Sequence, residues 1–241
     1  MANFAEITDM EKIRSIAEML LYVDPQPASE NLPWLITHPF INTNPMILPG
    51  CTARDIQFCD VMTEDGLNEY RENMRKVLPD IPLFQLLMMI CKPYRLLFAS
   101  LVFDSNAISQ QDFASIIKEA WKTQEWGGYD RNVSRAKCVK MILSVGRTAM
   151  EADDQKMFDE LPEHIIVFRG SKKNTKRDIC SLSWTTEEEI ATWFARRFGS
   201  EGYVSKITVP KSSIVCCFAN EAEVVLNPSS LRLEDISVTV A

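Results

Sequence analysis

The sequence predicts an α+β protein, and three observations carry the prediction. Apolar residues recur at helical spacing through about the first 160 positions, the pattern switches at Ile165 to short β-branched runs, and no repeat period or low-complexity tract interrupts either region. At 241 residues, 46% of them hydrophobic, the chain is long enough to bury a core as one large domain or as a catalytic domain with a smaller companion.

The elements follow in order. Thr8 and Asp9 form a cap signal ahead of Ile13, Ile16, Ala17, Leu20 and Leu21, so a helix is expected over about 9–22. Between Asp24 and Thr52 stand Pro25, Pro27, Pro33, Pro39, Pro45 and Pro49, which predict an irregular stretch with no regular element of any length. Trp34, Leu35, Ile36, Phe40, Ile41, Met46 and Ile47 within it call for burial and argue that it is ordered. Helices are expected at about 63–77, 82–91, 93–104 and 109–122, the last with a stripe of Phe113, Ile116, Ile117, Ala120 and Trp121. Ser134 can cap another running through Met141 and Leu143 to Gly146, and a short helix from Met150 to Leu161 ends at Pro162. Strands are expected at Ile165–Phe168, Tyr203–Val209, Ile214–Phe218, Val224–Leu226 and Ile236–Val240.

Composition excludes several classes of function. A net charge of -7 argues against electrostatic capture of nucleic acid, which requires a basic face. Met1–Ile13 carries Glu6, Asp9, Glu11 and Lys12 and reads as neither signal peptide nor anchor. The apolar run Ile81–Cys91 is far shorter than the roughly 20 residues of a membrane span and reads as buried helix, so no membrane partner is expected. Seven cysteines without a C-x-x-C pair fit reduced thiols in a cytosolic working compartment. With only His38 and His164, no metal site is expected. Eight glycines, none set in a phosphate loop or dinucleotide-binding turn, exclude the usual nucleotide folds.

Three stretches in the last third carry chemistry. Val167-Phe168-Arg169-Gly170 ends a strand with a cation that can fork onto phosphate, or can serve a surface ion pair, and Gly170 allows close approach of backbone to a ligand. Lys172, Lys173, Lys176 and Arg177 just beyond can assist phosphates or simply line a solvated loop. Ser183-Trp184-Thr185-Thr186 precedes a helical stripe of Ile190, Ala191, Phe194, Ala195 and Phe198. Thr185 with Glu188, or Thr186 with Glu189, makes a capping box, which leaves Ser183 and Trp184 unexplained. Glu221-Ala222-Glu223 precedes Val224-Val225-Leu226, and on an extended strand its two carboxylates face the same way. At an effective dielectric of about 20, a carboxylate about 4 Å from a growing positive charge is worth about 4 kcal/mol, close to a thousandfold in rate.

In this order the motifs resemble those of mono-ADP-ribosyltransferases of the arginine, serine, glutamate type, over roughly residues 115–228. The helix stretch Ala191-Thr192-Trp193-Phe194-Ala195 and the upstream Ala120–Glu125, Asn132, Met150-Glu151-Ala152 and Leu161-Pro162 look like a prokaryotic and phage-associated branch. Trp184 departs from the threonine of many relatives, as the S-W-T variant of that branch does, and puts nicotinamide packing in question more than catalysis. Residues 1–110 fall outside the resemblance and read from their pattern as a helical region, a candidate for substrate recognition, expected to pack on a catalytic domain, 111–241, whose β-rich core the resemblance implies to have two small sheets.

The resemblance also implies that NAD is the substrate. Arg169 would hold its phosphates and Gly170 its nicotinamide amide; Ser183 would fix the catalytic glutamate, and Trp184 and Phe194 would wall the nicotinamide, beside Thr185. Glu223 would steady the oxocarbenium ion, Glu221 would orient an acceptor, arginine favoured, and the partner would be a target protein such as a host enzyme, for a bacterial effector or phage host-modifier. Lys211–Asn220 would supply an acceptor-recognition turn and Arg196–Gly199 a phosphate and nicotinamide loop. Water as acceptor, a non-catalytic interaction module and a nucleic-acid-directed transferase are the competing readings.

Overall fold

A computed structural model of the chain describes residues 3–123, 132–197, 199 and 201–241. Gln124, Glu125 and Phe198, which the sequence pattern singles out, lie outside the described residues, as does the side chain of Arg177. The fold is mixed α and β, and the chain divides into two compact units, Met1–Thr123 with Arg131–Val133, and Gln124–Asp130 with Ser134–Ala241. The division falls after the helix expected at 109–122 rather than before it.

In the first unit, α1 (Met10–Leu21) is capped by Asp9, whose side chain accepts from Lys12 N, and it buries Ile13, Ile16, Ala17, Leu20 and Leu21. The prolines of the next stretch do not prevent strands: β1 (Gln26–Ser29) and β2 (Leu32–Thr37) pair as an antiparallel hairpin, and β3 (Met46–Ile47) pairs with β4 (Phe58–Cys59). A two-stranded ribbon tolerates proline because half of its backbone donors face outward, away from the ladder. The expected burial is overturned in part. Ile36, Phe40 and Ile41 are inside, whereas Trp34 is 56% exposed and Leu35 and Ile47 are exposed with it. His38 organises the turn that follows, its Nδ1 accepting from Phe40 N at 2.9 Å and Ile41 N at 3.1 Å.

Helices α2 (Glu64–Val77), α3 (Leu83–Met89), α4 (Arg95–Ser105) and α5 (Gln110–Lys122) follow. The buried helix expected from Ile81–Cys91 is α3, but only Leu86 and Leu87 are covered along it, and Phe84 and Met88 are exposed. Helix α4 buries Leu96, Phe98, Ala99, Val102 and Phe103.

The second unit opens with α6 (Arg135–Val145), capped by Ser134, and α7 (Ala152–Glu160). Its sheet comprises β5 (His164–Ser171), β6 (Ser183–Thr185), β7 (Tyr203–Pro210), β8 (Ile214–Phe218), β9 (Glu223–Leu226) and β10 (Ser237–Val240), in the order β10-β7-β5-β6-β9-β8 with antiparallel pairing throughout. Hydrogen bonding thus makes one six-stranded sheet where two small sheets were expected. The link between its halves is β6, three residues long, which meets β5 through the single register pair Phe168–Thr185. The short α8 (Lys176–Ile179) and α9 (Glu188–Arg196) flank β6 in sequence.

Alternation along the strands gives this sheet two faces. Val167, Trp184, Ile207, Val209, Val224 and Leu226 form a core with Phe158 of α7 on one. On the other, Phe168 and Val204 pack against Ala191 and Ala195 of α9.

Candidate functional site

Of the residues selected from the sequence, Gly170, Ser183, Thr185 and Glu223 belong to the second face, whereas strand alternation assigns Arg169 and Trp184 to the first, yet all of them border one cavity. Arg169, Gly170, Ser183, Trp184, Thr185, Phe194, Glu221 and Glu223 all line one pocket of about 80 Å³, completed by Phe168, Ile190 and Ala191. Phe168, Thr185 and Glu223 stand in a row across three strands, because Thr185 is the register partner of both others. Ser183 faces Val225 and is the diagonal neighbour of Glu223 on the same side of the sheet.

Glu223 is the first residue of β9 and is 6% exposed, held between Thr185 of β6 and Phe218 of β8. Glu221 is not on that strand. It ends a 3-10 turn, Ala219–Glu221, and the chain reverses at Ala222, a non-glycine residue at φ 46°, before β9 begins. The expected shared strand face is therefore corrected: Glu221 is exposed on a turn while Glu223 is buried in the ladder, although both reach the pocket. The left-handed residue is over-determined by its neighbours. Thr185 Oγ1 donates to Glu221 O at 3.2 Å, Thr186 N donates to Ala222 O at 3.0 Å, and Ala222 N donates to Ala219 O at 3.1 Å.

Those bonds also displace the expected capping boxes. Thr185 Oγ1 accepts from Glu187 N, the N-cap of α9 is Glu187, and no side chain caps that helix. The threonine that was to start the helix instead ties β6 to the turn carrying Glu221.

Trp184 is corrected as a nicotinamide wall. Its neighbours Ser183 and Thr185 point to the pocket, so it points the other way; it is 2% exposed in the core cluster and donates Nε1–H to Ser181 O at 2.8 Å. Phe194 stands at the pocket, 37% exposed, with its ring edge-to-face on Trp193 at 4.9 Å. Trp193, passed over in the sequence, is 57% exposed, and the Arg197 guanidinium lies 5.3 Å from its ring centre. Its signal was an aromatic adjoining Phe194 off the apolar stripe.

Gly170 is needed for packing. A β-carbon there would overlap Ala191 O and stand 2.6 Å from Ala195 N, so α9 crosses β5 backbone to backbone. Gly202 does the same further along, against Ala195 O.

Arg169 is 8% exposed, and its guanidinium donates from Nε to Asp178 O at 2.7 Å and from one terminal nitrogen to Ser183 O at 2.6 Å. It clasps β5 to the start of β6 where the ladder has only one register pair, and anchors α8 as well. Burial pushes its pKa down to about 10, with the Asp178 and Glu223 carboxylates opposing and Arg135 adding to the fall, so the group remains charged at neutral pH.

A larger cavity, about 560 Å³, lies in the first unit, lined by residues including Arg14, Glu18, Glu72 and Arg75 and spanned by the Glu18–Arg75 ion pair at 2.8 Å. It is open and of mixed charge, and holds none of the residues selected from the sequence. Among the described residues no group of three His, Cys, Asp or Glu side chains is placed to hold a metal ion, and no single helix is long and apolar enough to cross a membrane. None of the seven cysteines is joined in a disulfide. Comparison with protein-family models, curated proteins and solved structures returns no match in any of the three.

Proposed function

We propose that the second unit is an NAD-dependent mono-ADP-ribosyltransferase working at the pocket between β5, β6, β9 and α9. The supporting observation is convergence: Arg169, Ser183 and Glu223 are far apart in sequence, yet they line one small cavity together with Gly170, Thr185, Phe194 and Glu221. In this reading the nicotinamide–ribose bond breaks with its electron pair leaving on nicotinamide. Positive charge grows on the ribose beside the Glu223 carboxylate, and an acceptor nitrogen supplies the new bond while losing a proton. In the same reading Glu221, exposed on its turn at the pocket, meets the acceptor, and a carboxylate there suits a guanidinium, so a protein arginine is the favoured target.

A cavity of about 80 Å³ is small beside the roughly 300–1,000 Å³ that encloses a drug-sized ligand, so it would take one end of the dinucleotide and leave the rest along its mouth. Arg169 serves this site by fixing the Asp178 and Ser183 backbone. Seven cysteines outside any disulfide fit work in a reducing cytosol, as a bacterial effector or a phage-encoded modifier of a host enzyme.

The test is transfer from a tagged NAD to proteins of a host lysate, wild type against Glu223→Gln. Transfer should fall by about a thousandfold in the folded variant; equal transfer by the two proteins would remove the reading. A second reading, NAD hydrolysis with water as acceptor, is favoured by the separation of Glu221 from the strand that holds Glu223. Nicotinamide release without labelled protein would select it.

A further inference from the structure

We infer that Asp154, on α7 and outside the pocket, is a positioning residue that sets where Glu221 stands. The inference rests on the transferase reading for its kinetic consequence and on hydrogen bonds alone for its structural one.

Asp154 is a carboxylate only 6% exposed, a costly placement unless its oxygens are engaged. One oxygen accepts from Glu151 N at 3.0 Å, closing the first turn of α7. The other accepts from Ala219 N at 2.8 Å, 65 residues away. Ala219 begins the 3-10 turn that Glu221 ends, and its carbonyl receives the Ala222 N–H. The turn is thereby held from α7 at its first residue and from Thr185 and Thr186 at its last ones.

The location explains why an acid is used. Strand β8 is the sheet's edge, so backbone N–H groups on its outer side have no neighbouring strand to receive them. The start of α7 and the residues just before it cover that edge: Cys217 N donates to Met150 Sδ at 3.3 Å, and Ala219 N to Asp154. A charged acceptor makes the stronger of these bonds. Glu223 is fixed independently, by strands on both sides. Loss of Asp154 should therefore release Glu221 and leave Glu223 in place.

The experiment compares Asp154→Ala and Asp154→Asn with Leu161→Ala, a change at the far end of α7, against the core that holds Phe158, that leaves the Ala219 bond intact. Amide hydrogen exchange of the native proteins should accelerate at Ala219 and Ala222 by about fivefold or more in Asp154→Ala, less in Asp154→Asn, and not selectively in Leu161→Ala. Transfer to protein should fall about 10- to 100-fold in Asp154→Ala while nicotinamide release stays within about threefold. Unchanged exchange at Ala219, or transfer and release falling together, would overturn the inference. A wild-type protein that neither transfers nor releases nicotinamide would overturn the transferase reading instead, and the exchange measurement would still decide whether Asp154 holds the turn.

Discussion

Thr185 faces Glu223 directly across the β6–β9 ladder, and its hydroxyl hydrogen goes to the main-chain carbonyl of Glu221. One small side chain thus touches the two segments that bear the carboxylates, and it also accepts from Glu187 N at the start of α9. Thr185→Val keeps the shape and removes both bonds. It should destabilise the second unit by about 1–2 kcal/mol and reduce transfer, while Thr185→Ser restores both; denaturant melts and the tagged-NAD assay read the two effects.

Gly170→Ala should be among the most damaging single substitutions in the second unit. The added methyl meets main-chain atoms of Ala191 and Ala195, which cannot turn aside as a side chain would. A loss of about 3 kcal/mol or more is expected, read as a drop in denaturation midpoint. A variant as stable as the wild type would show that α9 is free to lift off β5.

Arg169→Lys keeps a positive charge and loses the fork. The ammonium cannot satisfy Asp178 O and Ser183 O from one point in the geometry of the guanidinium, so about 2–3 kcal/mol should be lost and the contact between β5 and β6 weakened. Exchange of the Ser183–Thr185 amides should rise in this variant before that of β7. Equal protection in wild type and variant would show that charge alone is required.

Acid should destabilise the first unit through His38. Burial lowers its pKa from 6.5 to about 4, against the pull of the Val23 and Leu21 carbonyls, and Nδ1 must stay unprotonated to accept from Phe40 and Ile41. A histidine held neutral contributes its full stability above pH 6.5 and loses it as pH falls from 6.5 to about 4, a span of about 3 kcal/mol. Denaturation of wild type and His38→Asn at pH 7, 5 and 4 should converge toward acid; parallel curves would refute this.

Cys217 and Cys91 should resist alkylation in the native protein. Burial pushes their thiols up to about 12 and about 11, leaving little thiolate at pH 8. Iodoacetamide followed by mass mapping should find the partly exposed Cys51 and Cys180 modified first.

What the sequence disclosed was largely what is local. Asp9 and Ser134 cap the helices they precede, and the strands at Tyr203–Pro210 and Ile214–Phe218 follow their β-branched runs. Hairpin β1–β2 was hidden because proline argues against strands in general and says nothing of an isolated ribbon with an outward-facing side. At the site, the set of residues was legible and their directions were not fully read. Strand alternation alone places Trp184 opposite Ser183 and Thr185, and Arg169 opposite Phe168 and Gly170, so that signal was present in the letters. The turn at Ala222 was not, since alanine rarely adopts a positive φ and the bonds that hold it there come from Thr185, Thr186 and Ala219. Nor was the Asp154–Ala219 bond, which joins segments that only folding brings together.

Strand β6 turns two hydroxyls toward the cavity and a tryptophan into the core within three consecutive positions. Inserting or deleting one residue there would exchange the two sides, setting the indole in the cavity and hydroxyls among aliphatic side chains. Variation within this strand is thus confined to replacing residues one for one, whereas the connections that lead into it from β5 and out of it toward α9 can change length without turning the tryptophan to the other side.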